Sequence, residues 1–171
     1  MTVVRHLARV PNCSSAVGLK PHAAAYGASL MAQRAFRPGV VEARHDVAVP
    51  APQGPSTVQI GPGRHVRSEA LEHLNHSCRP NVAVDTTART VTATRAIAAG
   101  EMLTSFYPST EWQLEAPFVC QCGEPECLRF VAGARFLSPD VLSRYSVNKH
   151  IVEAIVATLS ISAPRALRSG S

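Results

Sequence analysis

The sequence predicts a mainly β fold of short strands and tight turns, closed by one late helix. Three observations carry this. Pro and Gly punctuate short apolar runs at Pro38-Gly39 and at Gly61-Pro62-Gly63, as they do between paired strands. Val82-Ala83-Val84 and Thr90-Val91-Thr92-Ala93-Thr94 alternate with a period of two across a turn at residues 85–89. A convincing helical pattern comes only near the end, where Ser138-Pro139-Asp140 forms a helix start signal.

In chain order, Val3-Val4 and Ala16-Val17 suit short strands, with turns at Pro11-Asn12 and Lys20-Pro21. Cys13 has no evident partner and reads as an inert thiol. Leu30-Met31-Ala32 and Val40-Val41-Glu42 flank the Pro38-Gly39 turn as paired strands. Ala32-x-Arg34-Ala35-Phe36-x-x-Gly39 is echoed by Ala93-x-Arg95-Ala96-Ile97-x-x-Gly100, which we read as one hairpin chemistry used twice. Residues 45–56 contain Pro50, Pro52, Gly54 and Pro55 and read as a long loop. Residues 57–60 and 64–66 form the next hairpin, and residues 68–74 suit a single helical turn. Residues 101–107 read as a last strand, ended by Pro108. Val141, Leu142, Tyr145, Ile151, Val152, Ile155, Val156 and Leu159 can line the buried side of the late helix, and residues from Pro164 onward read as a frayed tail.

A chain of 171 residues suits one domain with its own core. The net charge of +5 comes mostly from scattered Arg, which describes a mildly basic surface better than a nucleic-acid patch. The N-terminus lacks the apolar segment of a secretory signal, and no stretch approaches the roughly 18 apolar residues of a membrane span. The expected location is therefore cytoplasmic, or nuclear in a eukaryote. Five cysteines without an export signal point to thiols or metal rather than disulfides.

Two clusters stand out. Leu74-Asn75-His76-Ser77-Cys78-Arg79-Pro80-Asn81 packs amides, an imidazole, a hydroxyl and a thiol into a loop-like stretch. Cys120-x-Cys122-x4-Cys127 offers three thiolates in a loop shaped by Gly123 and Pro125. A structural zinc site needs four ligands, and residues 118–135 hold no fourth Cys or His. The fourth comes from elsewhere, and Cys78 sits in the other cluster. An iron–sulfur cluster satisfies the ligand count, but the spacing suits zinc better.

Asn75-His76-Ser77-Cys78-Arg79-Pro80-Asn81, then Gly100-Glu101-Met102-Leu103-Thr104-Ser105-Phe106-Tyr107, then Phe118-x-Cys120-x-Cys122-x4-Cys127 resembles, in this order, the SET-domain protein-lysine methyltransferases with a post-SET zinc loop. Gly27-Ala28-Ser29 falls where that family has Gly-x-Gly, and residues 95–101 match the strand entering the last motif. The resemblance spans about residues 17–135. It implies a SET domain over 17–117 and a post-SET loop over 118–135, and it does not explain the N-terminal segment over 1–16, the C-terminal helix over 136–160 or the disordered tail over 161–171. It also implies a fold of small sheets with a pseudoknot, in which the last strand passes under the Asn-His-Ser-Cys loop. S-adenosylmethionine would contact Gly27, Ala28, Ser29, Asn75, His76, Tyr107 and Leu128. Zinc would be held by Cys78, Cys120, Cys122 and Cys127, and Tyr107 would be the catalytic tyrosine.

These residue types suit methyl transfer, an in-line displacement from a sulfonium to a neutral amine that needs positioning more than acid–base machinery. A tyrosine hydroxyl can accept weak C–H···O contacts from a polarised methyl. The expected partner is a protein or peptide presenting a lysine. The chain departs from the family pattern at Ser29, in place of a second glycine, and at Phe106, in place of an Asp. Val58 or Gln59 stands near the missing channel tyrosine, and the substrate insert shrinks to residues 43–57. A short insert suits an exposed peptide or a small amine as much as a histone tail. Ser29 and the missing tyrosine motivate a second reading, a catalytically inactive SET-like binding module. The net charge motivates a third, a zinc-containing nucleic-acid binder.

Overall fold

The structure, a computed structural model, describes residues 17–21, 28–39, 41–44, 48–68 and 71–162. It is built of small sheets. β1 (Val17–Pro21) pairs antiparallel with β2 (Ala28–Ala32). β3 (Val41–Arg44), β8 (Val82–Asp85) and β9 (Thr90–Ala93) form a sheet ordered β3-β9-β8. β4 (Val49–Ala51), β5 (Val58–Gly61) and β6 (Arg64–Arg67) form another, ordered β4-β6-β5. β7 (Asn75–His76) runs parallel to β10 (Thr104–Ser105), and β11 (Phe118–Val119) pairs with β12 (Phe130–Val131). Two helices follow, α1 (Pro139–Leu142) and α2 (Lys149–Ser162).

The hairpins expected around Gly61-Pro62-Gly63 and residues 85–89 form as β5–β6 and β8–β9. Other expectations change. Pro38-Gly39 does turn the chain, with Gly39 at φ 78°, but β3 then pairs with β9 and not with β2. The two echoed segments are not separate hairpins; they pair with each other. Phe36 N–H donates to Ile97 O at 2.9 Å and Ile97 N–H returns a bond to Phe36 O at 3.1 Å. Gly39 N–H meets Ala93 O, and Gly100 N–H meets Ala32 O. The same eight-residue pattern is thus used on both sides of a local two-fold, where each copy satisfies the other's backbone.

The loop expected at 45–56 contains β4, because residues 49–51 complete the edge of β6. Residues 101–107 form only the two-residue β10, and Tyr107 opens a 3₁₀ turn (Tyr107–Ser109). The late helix breaks in two at residues 143–148. Ser138 caps α1 as expected, accepting from Val141 N–H. Val152, Val156 and Leu159 are exposed, since α2 meets the body through one face of its first two turns, where Ile151 is fully buried and Ile155 packs against the same cluster. Residues 1–16 and 163–171, including Cys13, lie outside the described residues. No helix among the described residues is long and apolar enough to cross a membrane.

The main core gathers Leu30, Phe36, Leu74, Val82, Ile97 and Leu103 from six separate segments of the chain. Each such side chain contributes about 1.5–3 kcal/mol by leaving water. Through this core runs residues 102–106, gripped from both sides. Leu103 N–H donates to Leu30 O, while Ser77 N–H donates to Ser105 O and Asn81 N–H to Thr104 O. The fully buried Asn81 side chain adds two bonds: its Nδ2 donates to Met102 O at 2.8 Å and its Oδ1 accepts from Thr104 N–H at 2.7 Å. A strand held beneath the 75–81 loop in this way has the contacts that the pseudoknot requires. The loop reads as irregular in sequence because its polar atoms bond a strand that arrives 25 residues later.

Candidate active site and metal centre

The parallel pairing of β7 with β10 fixes the first cluster beside Tyr107. His76 sits in an aromatic cage, with ring centroids 5.2 Å from Tyr107, 5.6 Å from Phe118 and 5.7 Å from Phe106. Burial pushes its imidazole down to about 4, so it is neutral at physiological pH. Its Nδ1 accepts from Tyr107 N–H at 3.2 Å. That bond assigns the remaining proton to Nε2, which faces Cys78 Sγ at 3.4 Å. One imidazole therefore ties the turn that carries Tyr107 to the sulfur of Cys78.

The two clusters meet at that sulfur. The Sγ atoms of Cys78, Cys120, Cys122 and Cys127 all lie within 4.8 Å of one another, and Cys78 and Cys120 are 3.9 Å apart. Tetrahedral zinc with bonds of about 2.3 Å separates its sulfurs by roughly 3.8 Å, so the donor set fits zinc in kind and in size. Backbone amides prepare two of the sulfurs for negative charge: Leu128 N–H points at Cys78 Sγ at 3.3 Å and Arg129 N–H at Cys127 Sγ at 3.4 Å. Arg129 reaches its position with φ 64°, strained for a residue with a side chain. Burial pushes the Cys78 thiol well above its ordinary range and that of Cys120 up to about 11. A divalent cation offsets that cost by binding the thiolates.

The C-terminal segment braces the same region. Phe106 is buried and stacks on Tyr145 at a centroid distance of 3.6 Å and an angle of 4°. The Tyr145 hydroxyl donates to Cys78 O at 2.8 Å. Buried Asn148 donates to Val84 O and Ser109 O and accepts from Thr86 N–H, all within 3.0 Å. His150 Nε2 meets Thr110 O at 2.8 Å. Phe106 thus has a structural reason: it is the face on which the C-terminal segment docks. Gly133 begins the segment that packs beside Trp112, with φ 117°. A Cβ there would lie 2.6 Å from Trp112 O and 2.7 Å from Gln113 Cα. Gly133→Ala is expected to cost about 3 kcal/mol or more, which thermal unfolding would read as a drop of roughly 6–12 °C. An unchanged midpoint would mean that this packing yields easily.

A cavity of about 500 Å³ opens beside Tyr107 and reaches to the sulfur cluster. Its walls include Ser29, Asn75, His76, Tyr107, Phe118 and Cys122. The Tyr107 hydroxyl donates to Leu74 O at 2.9 Å, which commits its proton and leaves oxygen lone pairs as acceptors. Asn75 Nδ2 donates to Ser29 Oγ at 2.7 Å.

A scan against protein-family models finds no match. Among curated proteins, the methyltransferase flvH of Aspergillus flavus is 37% identical over 143 residues, which cover 81% of this chain and 80% of flvH. Two crystal structures of KRYPTONITE share the fold. One, in complex with mCHG DNA and SAH, has a TM-score of 0.52 at 19% identity and covers 63% of this chain and 27% of that one. The other, in complex with mCHH DNA, an H3(1-15) peptide and SAH, has a TM-score of 0.55 at 17% identity and covers 67% of this chain and 29% of that one. The chain belongs to the SET-domain methyltransferases. It spans less than a third of the KRYPTONITE chains, so their other parts have no counterpart in this comparison.

In this SET-domain methyltransferase most of the site residues expected from sequence converge. Ser29, Asn75, His76 and Tyr107 line one cavity, and the four cysteines meet at its end. Leu128 is placed differently. Its side chain packs between the cysteine cluster and the C-terminal core, and it is not among the cavity's lining residues. Gly27 lies outside the described residues, and Ala28 is described only as backbone of β2. Ser29 is buried, and its hydroxyl accepts from Asn75 Nδ2 and so orients that side chain. Ser29→Gly is therefore expected to weaken cofactor binding about fivefold, the loss of roughly one hydrogen bond, and not to improve it. Calorimetry would read this; tighter binding in the variant would restore the view of Ser29 as a defect. Sequence reasoning put Tyr145 on a buried helix face but missed its bond to Cys78 O, and it missed Asn148 and Glu111. Nothing in their local pattern marks them, because each acts on a backbone or side chain far away in the chain.

Proposed function

We propose that this SET-domain methyltransferase moves the methyl group of S-adenosylmethionine to the side-chain amine of a lysine in a protein or peptide. The observation that carries the reading is the convergence of Asn75, His76 and Tyr107 on one cavity that ends at the four-cysteine cluster. KRYPTONITE, which shares the fold, holds SAH in both structures and an H3(1-15) peptide in one. When bound here, S-adenosylmethionine supplies a methyl group on a sulfonium, the electrophile of an in-line displacement.

The chain's own residues would do the rest. Asn75, whose Nδ2 donates to Ser29 Oγ and Met102 Sδ, offers its carbonyl oxygen to the cofactor's polar end. Neutral His76 and Phe118 give the cleft an apolar, aromatic wall. Tyr107 directs its oxygen lone pairs at the methyl hydrogens and the incoming amine, and its donor bond to Leu74 O holds that aim. The nitrogen lone pair forms the new N–C bond as the C–S bond breaks and its electrons return to sulfur. Zinc would take no part in the chemistry; it would pin residues 118–131, a loop with little core of its own.

Incubation of zinc-loaded protein with methyl-labelled S-adenosylmethionine and a library of basic peptides tests the reading. Label on lysine Nε is expected. Cofactor binding without transfer to any peptide would favour the inactive binding module.

A further inference from the structure

The cavity has one electrostatic feature that methyl transfer as described does not use. Its walls carry Glu72, Glu111 and Glu115, while no Lys or Arg among the described residues lines it. The chain as a whole is basic, at +5, so this acidic lining runs against the general charge. Glu72 is partly exposed and pairs with His73 at 3.2 Å, and Glu115 is exposed. Glu111 is the buried member, with 8% of its side chain exposed.

Glu111 is also held with care. Its N–H donates to Tyr107 O at 2.9 Å, one turn along the same short segment, so both side chains face the cavity from one element. Oε1 accepts from Gln59 N–H at 2.7 Å and from the Thr110 hydroxyl at 3.4 Å. Oε2 has no hydrogen bond among the described residues. Behind it, at 3.9 Å, stands His65 Nδ1, a buried nitrogen without a hydrogen-bond partner. A carboxylate oxygen without a hydrogen bond among the described residues, on a residue that lines the cavity, thus stands beside a buried ring nitrogen that also lacks one, where folding alone would have paired them.

Resting on the lysine methyltransferase reading, we propose that Glu111 receives the positive charge of the substrate's amino group and takes the proton that the amine must lose before it attacks. A lysine in water is an ammonium and has no lone pair to offer. Transfer of one proton from R–NH₃⁺ to the Glu111 carboxylate gives R–NH₂ and a neutral carboxylic acid. The amine then attacks the methyl group, and Glu111 returns its proton to water through the cavity mouth after the product leaves. Burial pushes the Glu111 carboxyl up to about 7, against the opposing pull of its hydrogen bonds from Gln59 and Thr110, which suits proton exchange near neutrality. The groups that face it do not cancel this. His65 on β6 is held down by burial and by nearby His150 on α2, so it is neutral. Tyr107, Glu72 and Glu115 supply no cation.

Glu111→Gln tests the proposal, since the amide keeps an acceptor for Gln59 N–H and replaces a group already costly to ionise. With a peptide that the wild type methylates, kcat/KM at pH 7 is expected to fall by about 100-fold and to recover about tenfold per pH unit toward the amine's own range near 10. Wild-type rates should level off above about pH 7. Affinity for S-adenosylmethionine should stay within about twofold, and competitive inhibition by n-butylammonium should weaken about tenfold. Glu111→Asp, which keeps the charge, should retain the wild-type pH profile and butylammonium inhibition, and it decides the matter if the Gln variant does not fold. A Gln variant with the wild-type rate and profile would overturn the proposal, as would a pH-independent loss matched by lost cofactor affinity. Wild-type protein that methylates no lysine peptide would instead overturn the reading beneath it. Butylammonium binding to that protein, weakened by Glu111→Gln, would still report the charge recognition.

Discussion

Replacing Tyr107 with Phe is expected to lower kcat for methyl transfer by about 10²- to 10³-fold while leaving the dissociation constant for S-adenosylmethionine within about threefold. The substitution removes one oxygen and little else. The ring stays in its contacts with His76 and Phe118, at 5.2 and 6.0 Å, and the backbone N–H of residue 107 still donates to His76 Nδ1. The cleft that would hold the cofactor is therefore preserved. What disappears is the acceptor that faces the methyl and the amine, and with it the bond to Leu74 O that aims it. An interaction made chiefly in the transition state affects kcat more than binding. Initial rates with labelled cofactor, set beside calorimetric affinities, separate the two. A variant with the wild-type rate would remove Tyr107 from the chemistry and return it to the role of a packing aromatic.

The second large effect falls on the metal. Cys78→Ser is expected to weaken zinc binding by more than about 100-fold, because one of four thiolates carries a share of roughly 10–16 kcal/mol of binding energy. Purified protein should lose most of its zinc, as should Cys120→Ser. The consequence reaches beyond the ion. Residues 118–131 hold together through a two-strand ladder, a small cluster around Val131 and the four sulfurs. Without metal, amide exchange should rise at Cys120, Cys127 and Leu128, whose N–H groups bond within this loop or to Cys78. Phe118, Cys120 and Cys122 also line the cavity, so cofactor binding should weaken along with the metal. Full zinc occupancy in the Cys78 variant would contradict the four-cysteine centre.

Much of the site was legible in the sequence because its chemistry is local. Three cysteines within eight residues, and an Asn-His-Ser-Cys run that no strand or helix needs, mark themselves. The β5–β6 and β8–β9 hairpins were legible for the same reason: turn residues and alternation are properties of neighbours. What failed was pairing at a distance. The likeness between residues 32–39 and 93–100 was visible, but not that the two segments bond each other, since turn chemistry carries no partner label. The late helix reads as one continuous element because nothing in its apolar pattern marks the break at 143–148, and Val152, Val156 and Leu159 keep the helical period although they face solvent. Leu128 comes to the cofactor through resemblance alone; its packing against the cysteine cluster and the C-terminal core could not be read from its neighbours. Glu111 gave no sign, because a buried carboxylate is defined by what surrounds it, here Gln59 and His65 from 46 or more residues upstream.

The central claim is that the two polar clusters build one cofactor cleft joined at Cys78. Calorimetric titration of zinc-loaded, folded wild-type protein with S-adenosylmethionine tests it most directly. One-to-one binding is expected, weakened when zinc is removed by a chelator and recovered when it is restored. Absence of binding by the folded zinc protein, or an affinity indifferent to the metal, would contradict it.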